Sequence, residues 1–387
     1  MSSAPLTYFT NCLLMRCLPR PAKKEDRHGV LIIASGGLGD IIMLAPFLPY
    51  MKALAQNDEP ITLLLRTDAR GAAFTVPEGI SIETYDWQRI RKCWRSRWAT
   101  AKKLAQHNYR LVFSTDYQRH PFVDEFLMTA TGAEAWGEEA MPSVKFQRYL
   151  NKNKAKFSRY LPDCPDAPPH RILRWQRLLE WALRTNIRPP PVKAPRPRTN
   201  TGISMPDVPP IILHPFSADH RRMLPVDRFL AILNYLPDDT PILLSAAPGD
   251  LAKHPEYHAL CDDPRVQLDE TPLATKARTW AHAALVITID TVALHLATHS
   301  GAPTICFASA AYTNWSVPYP AEWMPKNVHI YVKNVPCKDC RGKCTTLPPP
   351  TTETKSFPCL AAFSTSDIVQ TVAPHIPQSS QSHDITA

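Results

Sequence analysis

Three stretches of the chain gather side chains able to act on a phosphorylated ligand, and a fourth gathers thiols. The first is SGGLGD, residues 35–40, whose glycines let the backbone turn sharply and approach a ligand while the following helix offers unpaired N–H groups. Asp40 stands at the start of that helix, where a carboxylate can accept a proton or can simply cap the helix and favour its dipole. The second is ITIDTVALHLA, residues 287–297. There Asp290 and Thr291 end a buried strand and His295 follows one helical turn later, so hydroxyl, imidazole and free helix N–H groups meet in a seat suited to a pyrophosphate. A capping Thr291 and a core-packed His295 would give the same spelling.

The third stretch is HPFSADHRRMLP, residues 214–225. Ser217 can donate to phosphate oxygens, and Arg221 or Arg222 can neutralise a leaving diphosphate. An exposed basic turn is the bland alternative. The fourth is Cys337, Cys340, Cys344 and Cys359, spaced C-x2-C-x3-C-x14-C, a candidate tetrahedral set for zinc or iron or a group of reduced thiols packing an irregular loop.

The elements that must position these residues are legible as short apolar runs. Residues 30–35 (VLIIAS), 61–66 (ITLLLR) and 109–116 (YRLVFSTD) read as strands, and 41–55 (IIMLAPFLPYMKALA) begins with helical spacing. The second half restarts the pattern with a strand into a loop over 211–217, a strand into a turn over 241–250, and strands at 285–290 and 302–309. Helices are expected between them at 225–236, 272–283 and 291–301, the last with a glycine stop. Strand, glycine turn, helix, strand is the grammar of parallel sheets covered by helices. Residues 141–188 turn basic and helical, and 186–210 are dense in proline without periodicity, as in a linker. Two such halves place a ligand at the carboxyl ends of their strands.

The order of these motifs resembles that of the family 9 glycosyltransferases, the ADP-heptose:lipopolysaccharide heptosyltransferase type, over residues 29–375. SGGLGDIIMLAP resembles their strand, S-x-x-G-D, apolar pair and small-Pro step. HPFSADHRRMLP resembles their loop before a W-P step, with Leu224 in place of Trp. DTVALHLATHSGAP resembles D-[ST]-G-x-x-H-L-A with a following G-x-P, and CKDCRGKC…PCL resembles their cysteine-rich tail. Two departures are Val292, where the family has Gly, and FASAAYTNW, which replaces an F-G-x-T loop.

The resemblance implies an α/β protein of the GT-B fold, two Rossmann-like domains facing across a cleft. It implies inverting transfer of a sugar, a heptose, from a nucleotide diphosphate donor, ADP-heptose, to a lipopolysaccharide inner-core acceptor. Asp40 would be the general base, with Gly39, Ser217, Arg221, Arg222, Asp290, Thr291 and His295 around the nucleotide-sugar. No cofactor is implied for the chemistry, since arginines and helix N–H groups neutralise charge, and a zinc or iron on the four cysteines would be structural. Two runs with interleaved aromatics, 87–103 and 145–160, lie in the domain that receives the acceptor in this family; Arg91, Lys92 and Arg95 are candidate contacts for an acidic glycolipid, with a solvated helix face as the alternative. Other outcomes consistent with the resemblance are a protein O-heptosyltransferase of related fold and a relative that binds nucleotide-sugars without turnover.

Charge agrees with an acidic ligand: 44 Lys and Arg against 35 Asp and Glu give +9. No nucleic-acid motif appears, so nucleic acid is not an expected partner. The apolar run within residues 1–28 is broken by Asn11, Arg16 and Arg20, short of the about 20 apolar residues that span a bilayer. It reads as a mobile leader, with peripheral contact at the inner face of the membrane as the alternative, and the protein as cytoplasmic. The expected organisation is therefore a leader at 1–28, an acceptor domain at 29–185, a linker at 186–208, a nucleotide-sugar domain at 209–378 and a disordered tail at 379–387.

Overall fold

A computed structural model of the chain describes residues 4–163, 170–189, 208–344 and 356–376. The chain divides into two compact units between Pro189 and Pro190, inside the proline-dense segment. Most of that segment, 190–207, and the tail at 379–387 lie outside the described residues.

The first unit opens with a helix, α1 (Ala4–Arg16), inside the stretch expected to be a mobile leader. Asn11 explains the correction: its side chain donates to the Phe122 carbonyl (3.2 Å) and accepts from the Arg97 guanidinium (2.7 Å), which ties the helix to the unit. There follow β1 (Val30–Ala34), α2 (Leu38–Leu44), α3 (Leu48–Met51), β2 (Ile61–Arg66), β3 (Ile80–Tyr85), α4 (Trp87–Lys92) and α5 (Trp94–Gln106). The unit closes with β4 (Leu111–Ser114), α6 (Asp124–Ala130), β5 (Glu134–Glu138), α7 (Gln147–Lys154), β6 (Arg159–Leu161) and α8 (Arg171–Leu183).

The second unit runs β7 (Ile211–His214), α9 (Val226–Tyr235), β8 (Ile242–Ser245), α10 (Asp250–Lys253), β9 (Val266–Asp269), α11 (Leu273–Trp280) and β10 (Leu285–Ile289). It ends with α12 (Val292–Ser300), β11 (Thr304–Ala308), β12 (Val328–Val332), α13 (Pro358–Ala361) and α14 (Thr365–Val372).

Both sheets are parallel throughout, in the orders β3-β2-β1-β4-β5-β6 and β12-β11-β10-β7-β8-β9. Counted within its own unit, and with the second sheet read from its β9 edge, each runs third, second, first, fourth, fifth, sixth, the Rossmann order. β1 sits between β2 and β4 with helices on both faces, so all five of its residues are buried and all are apolar. β10 repeats that arrangement between β7 and β11, with Ile287 facing Leu213 on one side and Ile305 on the other. Around them Leu31, Ile33, Leu64, Val112 and Phe126 form the first core, and Leu213, Phe229, Ile287, Ile305 and Phe307 the second.

The helix expected over 41–55 is real but broken. Pro46 and Pro49 have no amide hydrogen to donate, so α2 stops at Leu44 and the path continues as a 3-10 turn at Ala45–Phe47, then the short α3. α12 ends as read, with Gly301 left-handed at φ 73°.

Candidate functional site

In a doubly wound sheet, the chain leaves adjacent strands toward opposite faces at one point, and ligands bind outside the carboxyl ends there. That point lies between β1 and β4 in the first unit and between β7 and β10 in the second. Of the residues singled out from sequence, Gly39 and Asp40 follow β1, Ser217, Arg221 and Arg222 follow β7, and Asp290, Thr291 and His295 follow β10.

After β1, Ser35 to Gly37 turn the chain into α2. Asp40 is the third residue of that helix, and its Oδ2 accepts the Gly37 N–H at 2.9 Å, closing the helix start. The close turn depends on Gly36, because a Cβ there would lie 2.5 Å from the Asp40 Cβ. The other carboxylate oxygen, Oδ1, is ion-paired with the Arg171 Nη1 at 2.6 Å, so α8 reaches across to hold it. Each carboxylate oxygen still carries a second lone pair. Gly39 occupies the same helical turn, half-buried.

Beneath Asp40 lies a buried acidic group that the motif reading missed. The Ser35 N–H donates to Asp116 Oδ2 at 2.7 Å, and the Ser35 hydroxyl donates to Asp124 Oδ1 at 3.2 Å. Tyr85 donates to the Ser35 hydroxyl at 2.8 Å, and the indole N–H of Trp87 donates to Asp124 Oδ1 at 3.1 Å. Burial, with Asp124 alongside, pushes the Asp116 carboxyl up to about 7 against the pull of the Ser35 N–H and Arg171. A signal for Asp116 was present: the strand read at 109–116 ends in STD as the one at 285–290 ends in TID.

Of the three predicted acceptor contacts, Arg91 adjoins this acidic group through Trp87. Its guanidinium is 5.0 Å from the Trp87 ring centre, and Arg66 from the end of β2 lies over the same ring at 5.5 Å. Lys92 ends α4, exposed, and Arg95 lies over the exposed ring of Trp94 at 5.4 Å. Burial and the charges of Arg91, Arg97 and Lys145 hold the neighbouring His120 down to about 4, so it is neutral at physiological pH.

In the second unit the chain leaves β7 through Ser217, whose hydroxyl accepts the Asp219 N–H at 3.2 Å, into a 3-10 turn at His220–Arg222. The two adjacent arginines take different partners. Arg221 folds back on Asp219 with two parallel bonds, 2.9 and 2.7 Å, and lies over the Phe357 ring. Arg222 instead reaches the end of β10, its Nη2 3.3 Å from Asp290 Oδ2. Asp290 is 1% exposed, and burial lifts its carboxyl above the usual range although Arg222 and the Ser309 hydroxyl (3.2 Å) oppose the shift. Asp290 Oδ1 and Arg222 Nε are buried without a hydrogen-bond partner among the described residues.

Thr291 caps α12, accepting the Ala293 N–H at 3.4 Å, and Val292 opens the helix. His295 is buried, its Nδ1 2.5 Å from the Tyr319 hydroxyl and its ring stacked on Tyr319 at 5.8 Å. Both bland readings of this stretch are therefore present in the structure.

The four cysteines come together beside the 3-10 turn at Ala310–Tyr312. Cys359 Sγ accepts the Ala310 N–H at 3.4 Å, Asp339 and Arg341 N–H groups donate to Ala310 and Ala311, and Arg222 lies over Tyr312. Burial and the other cysteines push the Cys344 and Cys359 thiols up. Among the described residues no group of three or more His, Cys, Asp or Glu side chains is placed to hold a metal ion. No helix among the described residues is long and apolar enough to cross a membrane.

No protein-family model matches the chain, and no curated protein matches it in sequence. Its fold, by contrast, is similar to that of solved glycosyltransferases. The E. coli heptosyltransferase WaaC with ADP-2-deoxy-2-fluoro heptose aligns with a TM-score of 0.60 at 15% identity, over 89% of this chain and 99% of that one. E. coli ADP-heptose lps heptosyltransferase II aligns with a TM-score of 0.61 at 13% identity, over 90% and 98%. A family 9 glycosyl transferase from Veillonella parvula gives 0.59 at 15%, over 92% and 98%. At such identities the likeness shows the fold: two Rossmann-like units in one chain, the GT-B class.

Proposed function

We propose that this chain is an inverting glycosyltransferase that moves a heptose from ADP-heptose to an acidic lipopolysaccharide-core acceptor. One observation carries the reading: at equivalent switch points of two Rossmann-like units stand Asp40 in one, and Asp290, Thr291 and Arg222 in the other, in the order of the heptosyltransferase motifs. The fold likeness to a heptosyltransferase solved with a fluorinated ADP-heptose favours that donor.

In this reading the acceptor hydroxyl attacks the anomeric carbon while the bond from that carbon to the diphosphate oxygen breaks on the opposite side. Asp40 takes the hydroxyl proton, using the lone pairs that Gly37 and Arg171 leave open. The nucleotide diphosphate departs with the bonding electrons, and its charge is met by Arg222 and the open N–H groups of α12. Asp290 aims Arg222, Ser217 adds a hydroxyl, and His295 is set by Tyr319. Arg221 acts through its fixed charge, being held by Asp219. Arg91, Lys92 and Arg95 receive acidic groups of the acceptor, and the reaction takes place in the cytoplasm, where nucleotide-sugars are made. No step uses a metal.

The test is transfer from ADP-heptose to a truncated lipopolysaccharide core, with Asp40→Asn in parallel. Donor binding by both proteins and transfer by wild type alone are expected, with a loss of at least about 10²-fold for the variant. Failure of wild type to bind any nucleotide-sugar would leave the fold and sink the activity.

A further inference from the structure

The helix α1 presents apolar side chains on two faces, and the unit uses only one of them. Its inner face carries Ala4, Tyr8, Asn11 and Leu14: Tyr8 packs on Tyr149 with ring centres 5.2 Å apart, and Asn11 bonds Phe122 and Arg97. The outer face carries Leu6, Phe9 and Leu13, which are 70%, 60% and 45% exposed. Their spacing of three and then four residues sets them in one line on the helix. Ten large apolar side chains are exposed among the described residues, and three of them fall on this single helix. Such a concentration marks a surface that something covers.

The charge around the helix says what covers it. No acidic residue precedes Glu25 in the chain, while Arg16 closes the helix and Arg20 and Lys23 follow it. The neighbouring α7, QRYLNKNK, has no acidic residue either, and its Lys152 reaches over the Tyr8 ring at 5.0 Å. The loop leading into α7 leaves Val144 fully exposed next to Lys145. An apolar stripe edged by cations on a helix fixed to a folded unit has the chemistry of a segment lying in the headgroup layer of an anionic bilayer.

We propose that α1 is a membrane-docking helix, with Leu6, Phe9 and Leu13 entering an anionic phospholipid surface while Asn11 keeps the helix clamped to its unit. The docking is independent of which sugar is transferred or whether one is. The helix needs no refolding to bind, since its inner face is already packed, so the ordering cost falls on few residues.

The experiment is sedimentation of the full chain with phosphatidylcholine vesicles, with and without phosphatidylglycerol, for wild type and a Leu6→Ser/Phe9→Ser/Leu13→Ser variant. Wild type should partition to the anionic vesicles, and the triple variant should do so at least about tenfold more weakly with its thermal unfolding unchanged. A separate Phe9→Trp variant should show an emission blue-shifted on the anionic vesicles relative to the neutral ones. Equal partitioning of wild type and the triple variant overturns the proposal. Should the triple variant fail to fold, an emission from the Phe9→Trp variant that is the same on both kinds of vesicle overturns it instead. Wild type that elutes as a dimer where the triple variant elutes as a monomer, with no vesicle binding by either, overturns it in favour of a second copy of the chain.

Discussion

Replacing Gly36 by alanine should disable transfer without touching donor binding. The added Cβ would stand 2.5 Å from the Asp40 Cβ and 2.9 Å from its Oδ2. Ordinary contact begins near 3.4 Å, so the turn must open by about 0.9 Å between Gly36 and the base of the Asp40 side chain, which has no torsion able to relieve it. A misplacement of about 1 Å at a catalytic group costs roughly 10²-fold in rate. The accompanying overpacking should destabilise the first unit by about 1–3 kcal/mol. Gly37→Ala is the internal control. Gly37 has extended backbone, φ −78°, and its Cβ would meet only Asp40 Oδ2 at 4.0 Å. That variant should lose no more than about 1 kcal/mol for a poorer helix cap and keep most of its rate. Turnover with ADP-heptose, ADP affinity by calorimetry and thermal unfolding separate the effects. Equal turnover by the two alanine variants, with both folded, would refute the claim that Asp40 acts from the position Gly36 permits.

Two other perturbations test the buried charges. Arg222→Ala leaves Asp290 buried beside no cation, and should cost about 2–3 kcal/mol, short of a fully buried pair because the arginine is partly exposed; denaturant unfolding measures this, and an unchanged midpoint would remove Arg222 from the Asp290 pair. Asp116 lies at about 7, above the ordinary 3.8, so the folded state keeps a proton that the unfolded chain releases between those values. The stability tied to that proton is complete below the ordinary carboxylate range and drains away as pH rises through about 7. Asp116→Asn abolishes the dependence, and its melting temperature should gain on wild type by a few degrees between pH about 4 and about 8; a pH-independent difference would place the carboxyl in water.

The central strands are legible from sequence because a parallel strand flanked by two neighbours and covered on both faces must be apolar along nearly its whole length, as VLIIA and LVITI are. Edge strands are not legible in this way. ISIETY of β3 and VQLD of β9 have exposed positions and mixed polarity, and only their hydrogen-bonded neighbours make them strands. The helix after Asp40 shows in its periodicity, whereas its breaks at Pro46 and Pro49 interrupt a run whose apolar spacing carries on past them.

The residue types and strand ends of the site were set by local sequence: a carboxylate after β1, a carboxylate and a capping threonine after β10, and a basic turn after β7. Which of them meet was decided by tertiary structure alone. Arg221 and Arg222 are equivalent on paper; a turn of 3-10 helix gives one to Asp219 and sends the other to Asp290. Arg171 pairs with Asp40 only because α8 packs where the strand order carries it, and Asp116 acquires its proton only because the sheet buries it beside Asp124. Periodicity and turn residues report what each segment does with its own neighbours. Pairings between distant segments, and the desolvation that moves a pKa, exist only once strand order has brought those segments together.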